Sequence, residues 1–416
     1  MKRSSIPLDP FTRNVLLWMC VLISANQLSF SANTPVIAQY AESFGVSMTA
    51  IGFTFAIYGL ARLILNIPAG NAAERLGRKQ ALAIGGALTA ISSIGCALAP
   101  NYELFLTARF VGGGGAAFVL TGGQIVLADI AKPENRGRLM GVYQGVFLMT
   151  AGLGAIPGGW LATNYGIASP FWASAALAAL VTAIALTFMP ETRGYANNAS
   201  LAEANSDPLN FRQQLHVLVR SRGLLLISLI GLTAAFARTG GLFNVIPLMA
   251  ENDLGLNPTQ IGFGLGMISI VSLLFVWPSG VLVDTIGRKP VLVPATLFSG
   301  IGFLFFYWAT DFRSFLIACF IWSCAGGFSG GAPAAYAADM APYGMNAAAM
   351  GLYRALMDVG YVAGPLAIGL MSDVWGVRTA LLVTAGLILC TTILFALLAP
   401  ESHHRQARVT AAKPAP

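Results

Sequence analysis

Five charged residues stand inside long apolar runs of this sequence, where a charge is costly. Four are arginines and one is an aspartate: Arg62, Arg109, Arg238, Arg354 and Asp358. Charged side chains at membrane depth are rare, and they mark solute sites, ion pathways or proton carriers. The excess of positive charge predicts a solute with an anionic group, and Arg238 is its predicted main contact. The alternative is structural pairing of each arginine with backbone carbonyls or with Asp358.

Further polar and aromatic residues extend the predicted solute-binding set. With Arg238 and Arg109, this set comprises Asn26, Gln27, Asn33, Tyr143, Asn244 and Tyr353. Their side chains either line a cavity or contact neighbouring helices, and the sequence leaves both interpretations open. Arg354 and Asp358 are four residues apart, so they can pair on one helical face. We therefore predict that this pair binds and releases a proton whose movement is coupled to that of the solute, with Asp358 as the group that binds it.

The composition shows which elements must position these residues. Of the 416 residues, 56% are hydrophobic and 10% are charged, whereas soluble domains carry about 25% charged residues. The apolar runs are long enough for helices that cross a bilayer, which need about 20 residues each. We predict an all-α membrane protein with twelve transmembrane helices, spans 1 to 12, at residues 14–40, 49–71, 80–99, 103–128, 138–161, 168–189, 223–250, 259–283, 289–309, 312–338, 346–371 and 377–399.

These spans divide into two predicted six-helix bundles. The predicted organisation is a tail at 1–13, a bundle at 14–190, a linker at 191–222, a bundle at 223–400 and a tail at 401–416. Segments on the N-terminal side of the membrane carry eighteen basic residues: Lys2, Arg3, Arg13, Arg75, Arg78, Lys79, Lys132, Arg136, Arg138, Arg193, Arg212, Arg220, Arg222, Arg288, Lys289, Arg405, Arg408 and Lys413. The opposite loops carry only Arg313 and Arg378. By the positive-inside rule, we expect a multi-pass protein of a bacterial inner membrane with both termini in the cytoplasm.

The same loops account for the net charge of +7, so no nucleic-acid partner is expected. The five cysteines lie in apolar runs without the spacing of metal ligands, so neither a metal nor a cofactor is predicted. Gly327-Phe-Ser329-Gly-Gly331 fits the G-x-S-x-G pattern of serine hydrolases. Such chemistry needs a base. All three histidines lie outside the predicted spans, so an intramembrane serine hydrolase is the weaker alternative and no enzyme is predicted.

An internal repeat links the two predicted bundles. Pro68-Ala-Gly70 recurs 210 residues later as Pro278-Ser-Gly280, and Met140-Gly-Val-Tyr recurs at the same offset as Met350-Gly-Leu-Tyr. The offset holds from span 2 to span 5, so the bundles are predicted to be pseudo-symmetric copies. Parallel repeats of this kind are related by an axis along the membrane normal, with the solute site near the midplane.

The loop after span 2 reads Gly70-Asn-Ala-Ala-Glu74-Arg-Leu-Gly77-Arg78-Lys79, and its repeat reads Gly280-Val-Leu-Val-Asp284-Thr-Ile-Gly287-Arg288-Lys289. At these residues the chain resembles the major facilitator superfamily over nearly its whole length. Gly154-Ala-Ile-Pro157 in span 5 and Gly364-Pro365 in span 11 are similar to a motif of the twelve-span drug:proton antiporter branch.

The resemblance implies two conformational switches that close the inward side of the protein in its outward-facing state. The first comprises Gly70, Glu74, Arg78 and Asp129, and the second comprises Gly280, Asp284, Arg288 and Asp339. The alternative is that these charges only anchor the loops in the cytoplasm.

No phosphate-binding loop of the form GxxxxGK[ST] is present, so ATP is not the predicted energy source. We predict a monomeric secondary transporter that works by alternating access. Its expected partners are a small-molecule substrate, membrane lipid and coupling protons. Proton-coupled efflux of drugs or amphipathic metabolites is the favoured function, and uptake of an organic anion or sugar is the alternative.

Overall fold

The computed structural model describes residues 9–132, 135–193, 211–342 and 345–401. Within these ranges the chain forms helices joined by short turns, without a β-strand. Twelve of the helical segments are long and apolar enough to cross a membrane. This confirms the predicted fold class. The outer parts of both predicted tails and residues 194–210 of the predicted linker lie outside the described residues.

Most spans are single helices. In the first half these are span 1 (Pro10–Asn33), span 2 (Met48–Leu76), span 3 (Arg78–Ala97), span 4 (Tyr102–Ile130) and span 6 (Ser169–Thr187). In the second half they are span 8 (Pro258–Ile286), span 9 (Lys289–Tyr307), span 11 (Asn346–Trp375) and span 12 (Val377–Leu398). The other spans are built from consecutive segments: span 5 from Arg136–Leu153 and Ala155–Tyr165, span 7 from Arg222–Phe236, Ala237–Val245 and Ile246–Asn252, and span 10 from Phe312–Ser329 and Ala332–Asp339. Two short helices, Ile37–Glu42 and Phe211–Arg220, precede spans 2 and 7.

Span 1 differs from its predicted bounds at both ends. It begins earlier, at Pro10, because the Asp9 carboxylate accepts a hydrogen bond from the backbone N–H of Thr12 at 3.0 Å and caps the first turn. It ends at Asn33 instead of continuing to residue 40. Pro35 explains this end, because it has no backbone N–H to continue the helical hydrogen bonds, and the Thr34 N–H donates to the Ser31 carbonyl oxygen three residues back at 3.1 Å.

Span 7 also departs from the prediction of one continuous α-helix. Its middle segment, Ala237–Val245, is a π-helix with widened turns. Two glycines in it allow very close packing: a methyl group on Gly240 would lie 2.4 Å from the carbonyl oxygen of Gly364, and one on Gly241 would lie 2.5 Å from the Phe303 ring. Short π-helical segments within α-helices often occur at functional sites.

The chain separates into two compact units. Unit 1 comprises Met1–Gly45, Ile57–Ser206 and Asn257–Gly266. Unit 2 comprises Val46–Ala56, Asp207–Leu256 and Met267–Pro416. Each unit therefore contains most of one predicted bundle together with the beginning of one span from the other, span 2 in unit 2 and span 8 in unit 1.

Close helix contacts at glycines hold each unit together. In unit 1, a methyl group on Gly113 of span 4 would lie 2.2 Å from the Tyr58 carbonyl oxygen of span 2. In unit 2, one on Gly327 of span 10 would lie 2.5 Å from the Ser272 carbonyl oxygen of span 8. Small residues are enriched where membrane helices approach closely, and these glycines therefore serve helix packing.

Candidate functional site

Arg78 at the start of span 3 binds residues from spans 2 and 4. Its Nε donates to Asp129 Oδ2 at 2.8 Å, and its Nη2 donates to Glu74 Oε1 at 3.1 Å. Its Nη1 also donates to the Ala73 carbonyl oxygen at 3.2 Å. Arg78 and Asp129 are only 5% and 7% exposed, so this ion pair is shielded from water. The structure thus brings together the three charged residues of the first predicted switch.

The segment after span 6 reinforces this cluster and was missed by the sequence analysis. The Glu191 carboxylate accepts hydrogen bonds from the backbone N–H groups of Arg78 at 3.0 Å and Lys79 at 3.3 Å, which begin span 3. Thr192 Oγ1 donates to Asp129 Oδ2 at 2.9 Å. The repeat contained a signal for this role, because Pro190-Glu191 recurs 210 residues later as Pro400-Glu401.

The contacts of Glu191 also set its charge. Burial alone would raise its pKa, but hydrogen bonds from the backbone N–H groups of Arg193, Arg78 and Lys79, together with the Arg78 charge, outweigh burial and lower the pKa below its usual value. Glu191 is therefore a carboxylate at neutral pH, which suits a group that caps a helix N-terminus.

A second cluster occupies the equivalent position in the other repeat. Arg288 Nε lies 3.0 Å from Asp339 Oδ2, and both side chains are mostly buried. Arg288 Nη1 donates to the Val283 carbonyl oxygen at 3.2 Å, which is the counterpart of the bond from Arg78 to Ala73. The predicted third member of this switch, Asp284, has a side chain outside the described part of the structure.

The motif glycines differ in what the backbone requires of them. Gly77 and Gly287 have φ angles of 108° and 106°, which L side chains rarely adopt. A methyl group on Gly70 would lie 3.8 Å from Thr121, an ordinary contact, and one on Gly280 would meet nothing within 4 Å. Neither Gly70 nor Gly280 is thus required for packing in this conformation, although both were predicted as switch residues.

The intramembrane arginines have different surroundings. Arg109 is buried, and its guanidinium carbon lies 4.6 Å from the centre of the Tyr58 ring. Arg238 lies in the π-helical segment of span 7 and is exposed, with its guanidinium carbon 5.6 Å from the centre of the Phe243 ring. Arg109 is thus held within packed helices, whereas the Arg238 side chain remains accessible.

The predicted pairing of Arg354 with Asp358 is absent from this conformation. Arg354 is exposed, Asp358 is half-buried, and no ion pair among the described residues joins them. Spacing of four residues permits such a pair but does not require it. The proton-carrying role of Asp358 stays a prediction.

Several predicted solute contacts are buried polar groups with unused hydrogen-bonding capacity. Within the described residues, Asn33 Oδ1, Tyr143 Oη and Asn244 Oδ1 lack a hydrogen-bond partner. Buried polar atoms are usually paired, so each of these oxygens calls for an explanation such as a ligand or a water molecule.

The remaining predicted contacts are satisfied or packed. Asn26 Nδ2 donates to Gln27 Oε1 at 3.4 Å, and Tyr353 packs against Gly231. Unit 1 holds Asn26, Gln27, Asn33, Arg109 and Tyr143, and unit 2 holds Arg238, Asn244 and Tyr353.

Comparisons with known proteins agree with this architecture. A sequence model of the Major Facilitator Superfamily matches residues 19–251 and 227–416. An uncharacterized MFS-type transporter of Methanocaldococcus jannaschii is 24% identical over 363 residues, covering 87% of this chain and 92% of the relative. Multidrug resistance protein MdtG of Salmonella choleraesuis is 26% identical over 411 residues, covering 94% of this chain and 96% of the relative.

A solved structure shares the fold. The crystal structure of a bacterial homolog of the human lysosomal transporter Spinster, in an inward-facing and occupied conformation, matches with a TM-score of 0.76. It is 16% identical, and the match covers 94% of this chain and 97% of that one. The sequence model, the relatives and the twelve spans lead to one conclusion: this chain is a multi-pass membrane protein that belongs to the Major Facilitator Superfamily of transporters.

Proposed function

We propose that this chain exports drugs or amphipathic metabolites across a bacterial inner membrane by alternating access, in exchange for protons. Both termini lie in the cytoplasm in this proposal, and the chain acts as a monomer because one polypeptide contains both repeats. Export is favoured by the name of a relative, Multidrug resistance protein MdtG, which matches nearly the whole chain. The glycine-proline motifs of spans 5 and 11 favour the same branch of the family.

The proposal of alternating access rests on two ion pairs at equivalent positions of the two repeats. One joins Arg78 to Asp129, and the other joins Arg288 to Asp339. Removing one partner of a buried ion pair costs about 3–5 kcal/mol, because the other charge is left uncompensated. Two conformations of a protein commonly differ by only a few kcal/mol. Loss of one partner is therefore large enough to change which conformation is populated, provided that the pair forms in one conformation and opens in the other.

The partners of Arg78 contribute unequally to this bias. The Glu74 side chain is 62% exposed, so its ion pair with Arg78 is screened by water and contributes about 0–1 kcal/mol. The Asp129 side chain is 7% exposed, so the pair of Arg78 with Asp129 dominates the cluster. The switch in this half is thus a contact between spans 3 and 4, with Glu74 in a supporting role.

Growth assays test the direction of transport. The chain is expressed in a bacterial strain that lacks its major drug pumps, beside an empty vector, and the strain is challenged with cationic, neutral and anionic antimicrobial compounds. We expect a raised inhibitory concentration for at least one amphipathic compound. Unchanged susceptibility to the whole panel, together with faster growth on an organic acid or a sugar as sole carbon source, would instead identify an importer.

A further inference from the structure

Arg238 occupies a position at which an arginine needs a partner. It lies near the middle of span 7, which runs from Arg222 to Asn252. Its neighbours Ala237 and Thr239 are buried, whereas its own side chain is exposed. An arginine exposed to lipid at this depth would be strongly unfavourable. The side chain therefore needs either water or an anion beside it.

Part of the surroundings of the Arg238 side chain is protein. Surrounding protein desolvates the guanidinium, and the Tyr361 side chain of span 11 is its electrostatic neighbour. Thr239 Oγ1 donates to the Tyr361 carbonyl oxygen at 3.2 Å, which ties this turn to span 11. Arg238 is thus an accessible cation on a turn of span 7 that contacts span 11.

The guanidinium also keeps its hydrogen-bonding capacity. An arginine carries five N–H donors, and none of those on Arg238 donates to another described residue. No ion pair joins it to a carboxylate in the described ranges. Its guanidinium carbon lies over the Phe243 ring, at a distance typical of a cation–π contact. Such a contact uses the flat face of the group and leaves its N–H edge free.

The local backbone fixes this arrangement. Arg238 and Phe243 are five residues apart, the spacing of the hydrogen bonds in a π-helix. The segment is held in place because Gly240 and Gly241 pack tightly against spans 11 and 9. The guanidinium is consequently presented by a rigid turn, which lowers the entropy cost of binding a ligand.

We propose that Arg238 is the anion-recognition residue of the transport site, and that the solute is an amphipathic carboxylate. This inference rests on the proposed transport function and names its substrate class. The planar N–H edge of arginine matches the two oxygens of a carboxylate, which favours this anion over a neutral amide of the same shape. The Phe243 ring supplies an apolar surface for the rest of the molecule.

Binding measurements on the purified full-length protein test the proposal without requiring transport. The probes are matched pairs of aromatic carboxylic acids and their carboxamides, beginning with 2-naphthoate and 2-naphthamide, titrated by calorimetry. We expect at least one carboxylate of the panel to bind about 10- to 100-fold more tightly than its carboxamide, as a charge-assisted hydrogen bond provides. Arg238→Gln should abolish this preference, and Arg238→Lys should retain part of it.

Arg313→Gln is the matched control, since it removes another exposed arginine, at the beginning of span 10, and should leave the preference unchanged. Thermal unfolding of each variant shows that it is folded. The proposal is overturned if no carboxylate in the panel binds, if acids and amides bind equally, or if folded Arg238→Gln keeps the preference. A protein that binds carboxylates through Arg238 but changes no drug susceptibility would instead refute the proposed export alone.

Discussion

At the scale of single residues, the contact between Arg78 and Asp129 stands out because both charges are buried. The Arg78 guanidinium donates a hydrogen bond of 2.8 Å to the Asp129 carboxylate, and the Thr192 hydroxyl donates another of 2.9 Å to the same carboxylate. A carboxylate held by several donors loses much more than one bond when its main partner is removed. The role of this cluster can therefore be tested by single substitutions.

We expect Arg78→Ala and Asp129→Asn each to lower the transport rate by at least about tenfold while the protein still folds. Each substitution leaves its buried partner uncompensated, which costs about 3–5 kcal/mol in the conformation that forms the pair. Efflux of a fluorescent substrate from loaded cells measures the rate. Arg75→Ala is the control, because Arg75 is exposed in the last turn of span 2, three residues before Arg78. Equal rates for all three variants and the wild type would remove the switch role.

The glycines of the two repeats allow a second test at this scale. A methyl group on Gly158 would lie 1.9 Å from the carbonyl oxygen of Ala32, so Gly158→Ala forces backbones apart and should sharply reduce the yield of folded protein. Gly280 has free space around it, so Gly280→Ala should fold normally. If Gly280 belongs to a switch, its variant should nevertheless transport slowly, because the closed conformation then needs the space. Normal transport by Gly280→Ala would argue against that role.

Among the elements, the beginning of span 2 is held in an unusual way. The backbone N–H groups of Met48 and Thr49 each donate to the Asp373 carboxylate of span 11 at 2.8 Å. These N–H groups belong to a helix N-terminus, which is stabilised by negative charge. In the other repeat, the equivalent N–H group of Thr259 donates to the neutral Thr163 Oγ1 at 3.1 Å. One repeat therefore has a charged cap where the other has a neutral one.

We expect Asp373→Ala to increase the rate of amide hydrogen exchange in the first turn of span 2. The loss of a cap costs about 0.5–2 kcal/mol, which corresponds to a several-fold faster exchange of the Met48 and Thr49 amides. Thr163→Val is the matched variant and should affect only the beginning of span 8. Mass spectrometry of peptides that cover residues 46–56 and 257–266 separates the two effects. Unchanged exchange at Met48 and Thr49 in Asp373→Ala would show that this cap contributes nothing.

Sequence reasoning found the twelve spans because length and hydropathy alone decide whether a helix can cross a membrane. It also found the charged clusters, since the repeat marks Arg78 and Arg288 with the same neighbours. It missed the π-helix in span 7, because that depends on contacts of Gly240 and Gly241 with distant helices. It missed Glu191 although Pro190-Glu191 recurs as Pro400-Glu401, because this side chain binds backbone N–H groups and the repeat alone does not identify those partners.

For the whole molecule, the repeat in the sequence is also a repeat of contacts. A methyl group on Gly52 would lie 2.1 Å from the carbonyl oxygen of Pro365 in unit 2. Its counterpart on Gly262 would lie 2.3 Å from the carbonyl oxygen of Ala155 in unit 1. Gly262 stands 210 residues after Gly52, and Pro365 stands 210 residues after Ala155. The two copies have thus kept both their helices and the places at which those helices touch, as expected of a duplicated bundle.

Proton coupling is a property of the whole transport cycle, and Asp358 is the residue on which we test it. Asp358→Asn keeps the shape of the side chain but removes the group that binds a proton. In proteoliposomes, we expect this variant to lose transport driven by a pH gradient and to keep exchange of labelled for unlabelled solute, which moves no net proton. Asp311→Asn is the control, because Asp311 stands before the first residue of span 10 and caps that span by accepting a hydrogen bond from the backbone N–H of Ser314 at 2.8 Å. If transport by Asp358→Asn still responds normally to the pH gradient, another group carries the proton. If the variant loses solute exchange as well, Asp358 serves solute binding or structure instead.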